Sequence, residues 1–275
     1  MTDDILARIA DALDRIAPPP APHADPAAHA AYVWRDGGLA DARAFAPLPL
    51  DLLTGVDSQK AALVDNARRL ARGAAAHDVL LWGARGAGKS ALVKATVGAL
   101  RGEGHDIALI EVAGEKIESL PRLFALIADV PRAFVLFLDD LGFDEGGAHG
   151  GNGPRLLRSM LEGGAEARPT NARLHVTANR RHIVSRDLRE QDSPINPRDV
   201  VDDKLALADR FGLSIGFHVC DQDTYVSMVA AYAQTYGLSF EPLDAIAWAT
   251  LRGSRSGRVA WQYVVELAGR AGKAL

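Results

Sequence analysis

The sequence predicts an α/β protein: a parallel sheet with helices on both faces, followed by a small all-helical C-terminal segment. Three observations predict it. From about residue 50, short apolar runs alternate with amphipathic helical stretches, the pattern of parallel strands joined by crossover helices. A glycine-rich turn, Gly83 to Ser90, stands between the first of those runs and the next helical stretch. After residue 220 the apolar runs stop and only helical periodicity remains.

Composition bounds the class before any element is placed. A chain of 275 residues is long enough for one large domain or a domain with a small companion. Hydrophobic residues at 48% and charged residues at 24% exclude a collagen, a disulfide-stapled miniprotein and a wholly disordered chain. The net charge of -4 leaves no global basic excess to hold nucleic acid or an anionic membrane, although a local patch stays open. The single cysteine, Cys220, has no internal partner, which fits a reducing cytoplasm. The apolar run at 133–138 falls far short of the roughly 20 residues that span a bilayer. The N-terminus opens on acids and lacks the basic-then-apolar order of a secretory signal.

The elements follow in order. Residues 1–17 form a first unit, with an amphipathic helix over 3–16 that places Ile5, Ile9, Leu13 and Ile16 at helical spacing behind Thr2 as N-cap. It either packs on the body or serves as a partner or self-association helix. Residues 18–49 read as a linker, Pro/Ala-rich over 17–31. The core, 50–220, begins with a helix over 56–73 stopped by glycine, then a buried strand at 78–82. A helix at 89–102, a strand at 107–112 and a helix at 120–130 come next, then a strand at 134–140 ending in two acids. A helix at 154–164, a strand at 174–179, a helix at 202–210 and a strand at 214–219 complete it. Residues 221–275 hold three helical stretches, 223–236, 242–252 and 257–270, punctuated by glycines, and read as a helical lid.

Gly83-Ala-Arg-Gly-Ala-Gly-Lys-Ser90 is a P-loop pattern in its required context, after a strand and opening a helix. Gly83, Gly86 and Gly88 let the backbone curl so that consecutive N–H groups face phosphate oxygens, and the helix N-terminus adds its positive end. Lys89 can reach the β and γ phosphates of ATP, and the Ser90 hydroxyl can ligate Mg²⁺. Gly83, Ala84, Arg85, Gly86, Ala87, Gly88, Lys89, Ser90 and Ala91 are the candidate nucleotide-binding set. Forty-nine residues after Ser90, a buried strand delivers Asp139 and Asp140 to the edge where open α/β sheets bind ligands. Asp139 is the candidate Mg²⁺ group beside Ser90, and Asp140 the candidate for orienting the attacking water.

The order of these motifs resembles the AAA+ ATPase superfamily over roughly residues 50–270. Stretches 52–63, 80–95, 163–171, 177–182, 207–213 and 256–264 also resemble a bacterial family known as domain of unknown function 815. The resemblance implies a P-loop NTPase of AAA+ type with a five-stranded parallel sheet in the order 5-1-4-3-2. Asn179 matches the sensor that contacts the γ-phosphate or attacking water; the plainer reading is an asparagine turn. Arg210 matches an arginine finger reaching a neighbouring subunit's ATP, which implies a homo-oligomer; the plainer reading is a surface ion pair. Arg258 matches the lid arginine that contacts phosphates; the plainer reading is helix-cap packing. Val56 and its neighbours stand where adenine sits in this superfamily. Most such ATPases carry Glu where this chain has Asp140, one methylene shorter, and a positioning error near 1 Å costs about 100-fold in rate, so hydrolysis is expected to be slow.

The remaining features narrow the choice. The segment 112–120 holds no aromatic residue of the kind polypeptide-threading rings use there, and segment 186–209 carries seven acids against four bases, a poor DNA contact. Arg180, Arg181 and His182 follow Asn179 and suit either a contact with substrate or neighbour, or a solvated loop. The eight histidines show no metal spacing; His175 and His218 alternate with apolar residues in strands. No serine stands in a Gly-x-Ser-x-Gly elbow. The leading expectation is therefore an ATP-hydrolysing AAA+ protein, cytoplasmic and homo-oligomeric, with catalytic Lys89, Asp140, Asn179 and Arg210, that couples hydrolysis to conformational change of the oligomer acting on an unidentified client. A nucleotide-gated binding module with very slow turnover and a DNA-replication-associated loader are the alternatives.

Overall fold

The computed structural model describes residues 5, 6, 8, 23–35, 38–141, 157, 159–161, 168–179 and 209–275. Its strands are β1 (Ala31–Arg35), β2 (Gly38–Asp41), β3 (Val79–Gly83), β4 (Ile107–Val112), β5 (Ala133–Leu138), β6 (Ala172–Asn179) and β7 (Leu213–Phe217). They form one sheet in the order β2-β1-β4-β5-β6-β3-β7. Every neighbouring pair is parallel except the β1–β2 hairpin.

Period-two alternation within buried strands sorts side chains to the two faces. In β5, Phe134, Leu136 and Leu138 join one core cluster while Val135 and Phe137 join the other. The first cluster is covered by helix α3 (Leu120–Ile127) through Leu120, Leu123, Phe124 and Ile127. The second is covered by α1 (Asp57–Ala71) and α2 (Lys89–Gly102), which contribute Leu63, Ala67, Leu70, Leu92, Val93, Val97 and Leu100. Helices α4 (Gln222–Thr235), α5 (Pro242–Leu251) and α6 (Gly257–Arg270) bury a third cluster of their own around Tyr225, Val229, Tyr232, Val259 and Val264. Two caps start these helices cleanly: Asp221 accepts from Thr224 N–H at 2.8 Å, and Ser256 from Val259 N–H at 3.3 Å.

The same alternation decides what β6 shows to each side. Leu174, Val176 and Ala178 go to the α3 face, so His175, Thr177 and Asn179 share the opposite face. His175 is only 1% exposed. It lies in register between Phe137 and Val79, and neither ring nitrogen finds a hydrogen-bond partner among the described residues. Burial lowers its pKa from 6.5 to about 3.

Several expectations need correction. The sheet has seven strands rather than five, and its order differs from 5-1-4-3-2 by two strands added beyond β4. Those strands come from residues 18–49, expected to be linker. Ala31–Trp34 pairs in parallel with Leu109–Val112, and Tyr32 and Trp34 are each 1% exposed. The Trp34 indole donates to Ser119 Oγ at 2.7 Å. Residues 23–24 also bind the β2 edge: Leu39 N–H donates to His23 Nδ1 at 3.0 Å and Ala24 N–H to the Leu39 carbonyl at 2.8 Å. A four- or five-residue strand has no periodicity long enough to stand out beside proline-rich sequence; the free edge of β4 makes it a strand. The third helix stops at Ile127, and β5 stops at Leu138, leaving both acids beyond the strand. Asp209 and Arg210, expected to end a helix, lie in a turn. Ile5, Leu6 and Arg8 are helical and exposed; the rest of the 3–16 helix, and Arg180, Arg181, His182 and the glycine-rich 146–153 stretch, lie outside the described residues. No helix among the described residues is long and apolar enough to cross a membrane.

Candidate nucleotide-binding site

The C-terminal edge of the sheet opens into a cavity of about 520 Å³ lined from the P-loop, the ends of β5 and β6, the segment before α1 and two C-terminal helices, within the usual range for a ligand pocket. The P-loop builds its floor. Gly83 has φ 133° and a Cβ there would run into the Phe217 carbonyl of β7, so only glycine lets the two strands close this tightly. Gly86 has φ 75°, and a Cβ on it would press on Ser256 and Arg258 at the start of α6. The Arg258 N–H donates to the Gly86 carbonyl at 3.3 Å, tying that helix to the loop. The Arg258 side chain is exposed and lines the cavity.

Lys89, the first residue of α2, is 7% exposed and turns back into the loop. Its ammonium donates to the carbonyls of Gly83 and Ala84 at 2.9 Å each and to Asn179 Oδ1 at 3.5 Å. Burial pulls its pKa below the ordinary lysine value; Asp140 and Asp139 oppose that shift, while Arg258 and Arg85 add to it. Five charged groups therefore act within one small volume.

Asp139 and Asp140 are held differently. Asp139 Oδ1 accepts from Ser90 Oγ and from Thr177 Oγ1, each at 2.6 Å. Asp140 has φ 51°, the one described non-glycine residue with positive φ, a conformation aspartate tolerates better than most. Its N–H donates to Thr177 Oγ1 at 2.8 Å, and its carboxylate accepts from Asn179 Nδ2. Its other oxygen lies 3.9 Å from the Arg85 guanidinium.

The structure thus brings Gly83, Ala84, Arg85, Gly86, Ala87, Gly88, Lys89, Ser90, Ala91, Asp139, Asp140, Asn179 and Arg258 around one pocket. Val56 lines it too, beside Leu48, Leu52, Met228, Tyr232 and Trp261. Arg210 does not line it; it precedes β7, at the opposite end of the parallel strands. Sequence reasoning missed Thr177, which ties the two acids together. The available signal was a hydroxyl in the buried 174–179 strand, but its partner follows only from β5–β6 pairing, Leu138 against Val176. The apolar wall from Met228, Tyr232 and Trp261 was also missed, because it needs helices docked from the far end of the chain.

The family described as "Protein of unknown function (DUF815)" matches residues 27–271. The chain belongs to that family. No curated protein matches this DUF815 chain. Among solved structures it is similar to the Thermotoga maritima RuvB Holliday junction branch migration motor, with TM-score 0.50 and 19% identity over 82% of this chain and 67% of that one. It is also similar to the Aeropyrum pernix ORC1 protein in complex with DNA, with TM-score 0.55 and 16% identity over 82% of this chain and 63% of that one. The Aeropyrum pernix ORC2 protein, in ADPNP–ADP complexes, matches with TM-score 0.55 and 16% identity over 84% of this chain and 67% of that one. The DUF815 chain spans about two thirds of each of these structures. At such identities the likeness is one of fold, the α/β P-loop fold of the AAA+ ATPases.

Proposed function

We propose that this chain binds ATP with Mg²⁺ in the P-loop pocket and hydrolyses it slowly. One observation carries the reading. Arg85, Lys89, Ser90, Asp139, Asp140, Asn179 and Arg258 come from the P-loop, α2, the end of β5, β6 and α6, yet converge on one cavity, joined across elements by the 2.6 Å Ser90–Asp139 hydrogen bond. The loop N–H groups and the α2 N-terminus receive the phosphates. Lys89 exchanges its carbonyl partners for phosphate oxygens. Ser90 and Asp139 are oxygen donors already in contact, the donor set a hard cation takes, and they hold the Mg²⁺. When bound, the ion neutralises phosphate charge. Asp140 orients the attacking water and takes its proton, while Asn179 aims Asp140. The apolar wall of Leu48, Leu52, Val56, Met228, Tyr232 and Trp261 suits the flat base.

In the same proposal Arg210 acts on the pocket of a neighbouring copy, so the working form is a homo-oligomer. Residues 221–275 are a lid whose angle Arg258 couples to nucleotide state, supported by the separate apolar cluster of α4–α6. Residues 50–220 form the nucleotide-binding core. The net charge of -4 favours a protein client over nucleic acid. A nucleotide-gated binding module is the second reading, favoured by the short Asp140 side chain and its bond to Asn179.

The test is Mg-ATP binding and turnover of the wild type, Lys89→Ala, Asp140→Asn and Asp140→Glu, with the mass measured with and without nucleotide. Lys89→Ala should lose binding. Asp140→Asn should bind but turn over about 100-fold more slowly. Faster turnover in Asp140→Glu supports the reading that Asp140 limits the rate. A wild type that binds no Mg-ATP would overturn the proposal, and a strict monomer in every state removes the role of Arg210.

A further inference from the structure

Arg85 is the P-loop residue whose side chain nothing in a generic phosphate cradle requires. That cradle needs backbone N–H groups, small residues where the turn is tight, and the lysine and hydroxyl that follow. Here a long cation lines the pocket from within the loop. Its guanidinium lies 3.9 Å from Asp140 Oδ2. Asp140 is tied on its other oxygen to Asn179, which in turn accepts from Lys89 at 3.5 Å. The guanidinium therefore stands beside the Asp140–Asn179–Lys89 cluster, on the side of the cavity where the terminal phosphate and the attacking water belong. Arg210 lies at the other end of the strands, so the arginines this chain itself supplies to the cavity are Arg258 from α6 and Arg85, and Arg85 is the one beside Asp140.

We propose that Arg85 binds the terminal phosphate of a nucleoside triphosphate from within the same chain, leaving Asp140 to do so, and thereby makes the pocket prefer triphosphate over diphosphate. This rests on the nucleotide-binding reading above and names what it discriminates. The Arg85–Asp140 pair is suited to the exchange. Both side chains are well exposed, at 73% and 59%, and the contact is long, so water screens it and little is lost when it breaks. A terminal phosphate offers more charge and two oxygens to the planar guanidinium fork, which a single distant carboxylate oxygen does not. The exchange also releases one of the two side chains on the Asp140 carboxylate, so arrival of the terminal phosphate frees it on that side. A diphosphate ends short of Arg85 and leaves the pair in place.

The experiment is calorimetric titration of the full chain with Mg-ADP and with a non-hydrolysable Mg-ATP analogue, for the wild type, Arg85→Ala and Arg85→Lys. The wild type should favour the analogue. Arg85→Ala should weaken the analogue by about tenfold or more while ADP affinity changes less than about threefold. Arg85→Lys, which keeps the charge but not the fork, should recover part of the preference. Equal weakening of both ligands, or an unchanged ratio in Arg85→Ala, overturns the assignment of Arg85 while leaving the nucleotide-binding reading intact. A wild type that binds neither ligand overturns that reading and this inference with it. Thermal melts of the three proteins confirm that they are folded before titration.

Discussion

The buried imidazole of His175 makes the fold acid-sensitive in a way that can be calculated. It is 1% exposed, faces Phe137 and Val79 across the sheet, and has a pKa lowered to about 3 by burial alone. In the unfolded chain the same group titrates near 6.5. Above that value both states are neutral and the histidine contributes no pH dependence. Below it the unfolded chain takes up a proton that the folded chain refuses, so stability falls with decreasing pH until the folded value is reached. The loss approaches about 1.36 kcal/mol for each pH unit below 6.5, which gives ~2 kcal/mol between pH 7.5 and pH 5. That figure hardly depends on how low the folded value lies, because at pH 5 the folded group stays neutral either way. The assay is urea unfolding, followed by tryptophan fluorescence, of the wild type and His175→Phe at both pH values. Packing costs of the substitution and the titration of other groups enter both conditions alike and cancel in the difference. The wild type should lose ~2 kcal/mol more than the variant on acidification. Equal losses in the two proteins would refute a neutral, desolvated His175.

Two further outcomes follow from contacts that cross between elements. Thr177→Val removes the hydroxyl that bonds both Asp139 and the Asp140 N–H; under the proposed function, turnover should fall about tenfold or more with ATP affinity nearly unchanged, and Thr177→Ser should restore it, as steady-state kinetics would show. Trp34→Ala empties a site that is 1% exposed and breaks the bond to Ser119; chemical denaturation should show a loss of about 3–5 kcal/mol, whereas a residue in a true linker would cost almost nothing.

The parts of this protein that were legible in sequence are those whose geometry is local. The P-loop is contiguous, and its glycines mark where the backbone must take positive φ, as Gly83, Gly86 and Gly88 do. Buried central strands announce themselves as apolar runs, and β5 is buried at all six positions. The pair Asp139–Asp140 was legible because it ends such a run. The β1–β2 hairpin was not, since its strands are short and owe their conformation to the edge of β4. From the sequence His175 reads only as a strand residue; that neither ring nitrogen has a hydrogen-bond partner among the described residues depends on what covers it.

Taken alone, the sequence determined the alternation of strands and helices, the glycine-rich P-loop turn and the two acids, because neighbouring residues suffice to encode backbone shape and periodicity. Tertiary structure decided which groups meet. Strand register set Thr177 beside both acids, docking of α6 brought Arg258 to Gly86, and the turn of the P-loop carried Arg85 to within 3.9 Å of Asp140. Hydrogen bonds and charge pairs act over a few ångströms in space, and residues that distant in the chain come that close only when the core has packed.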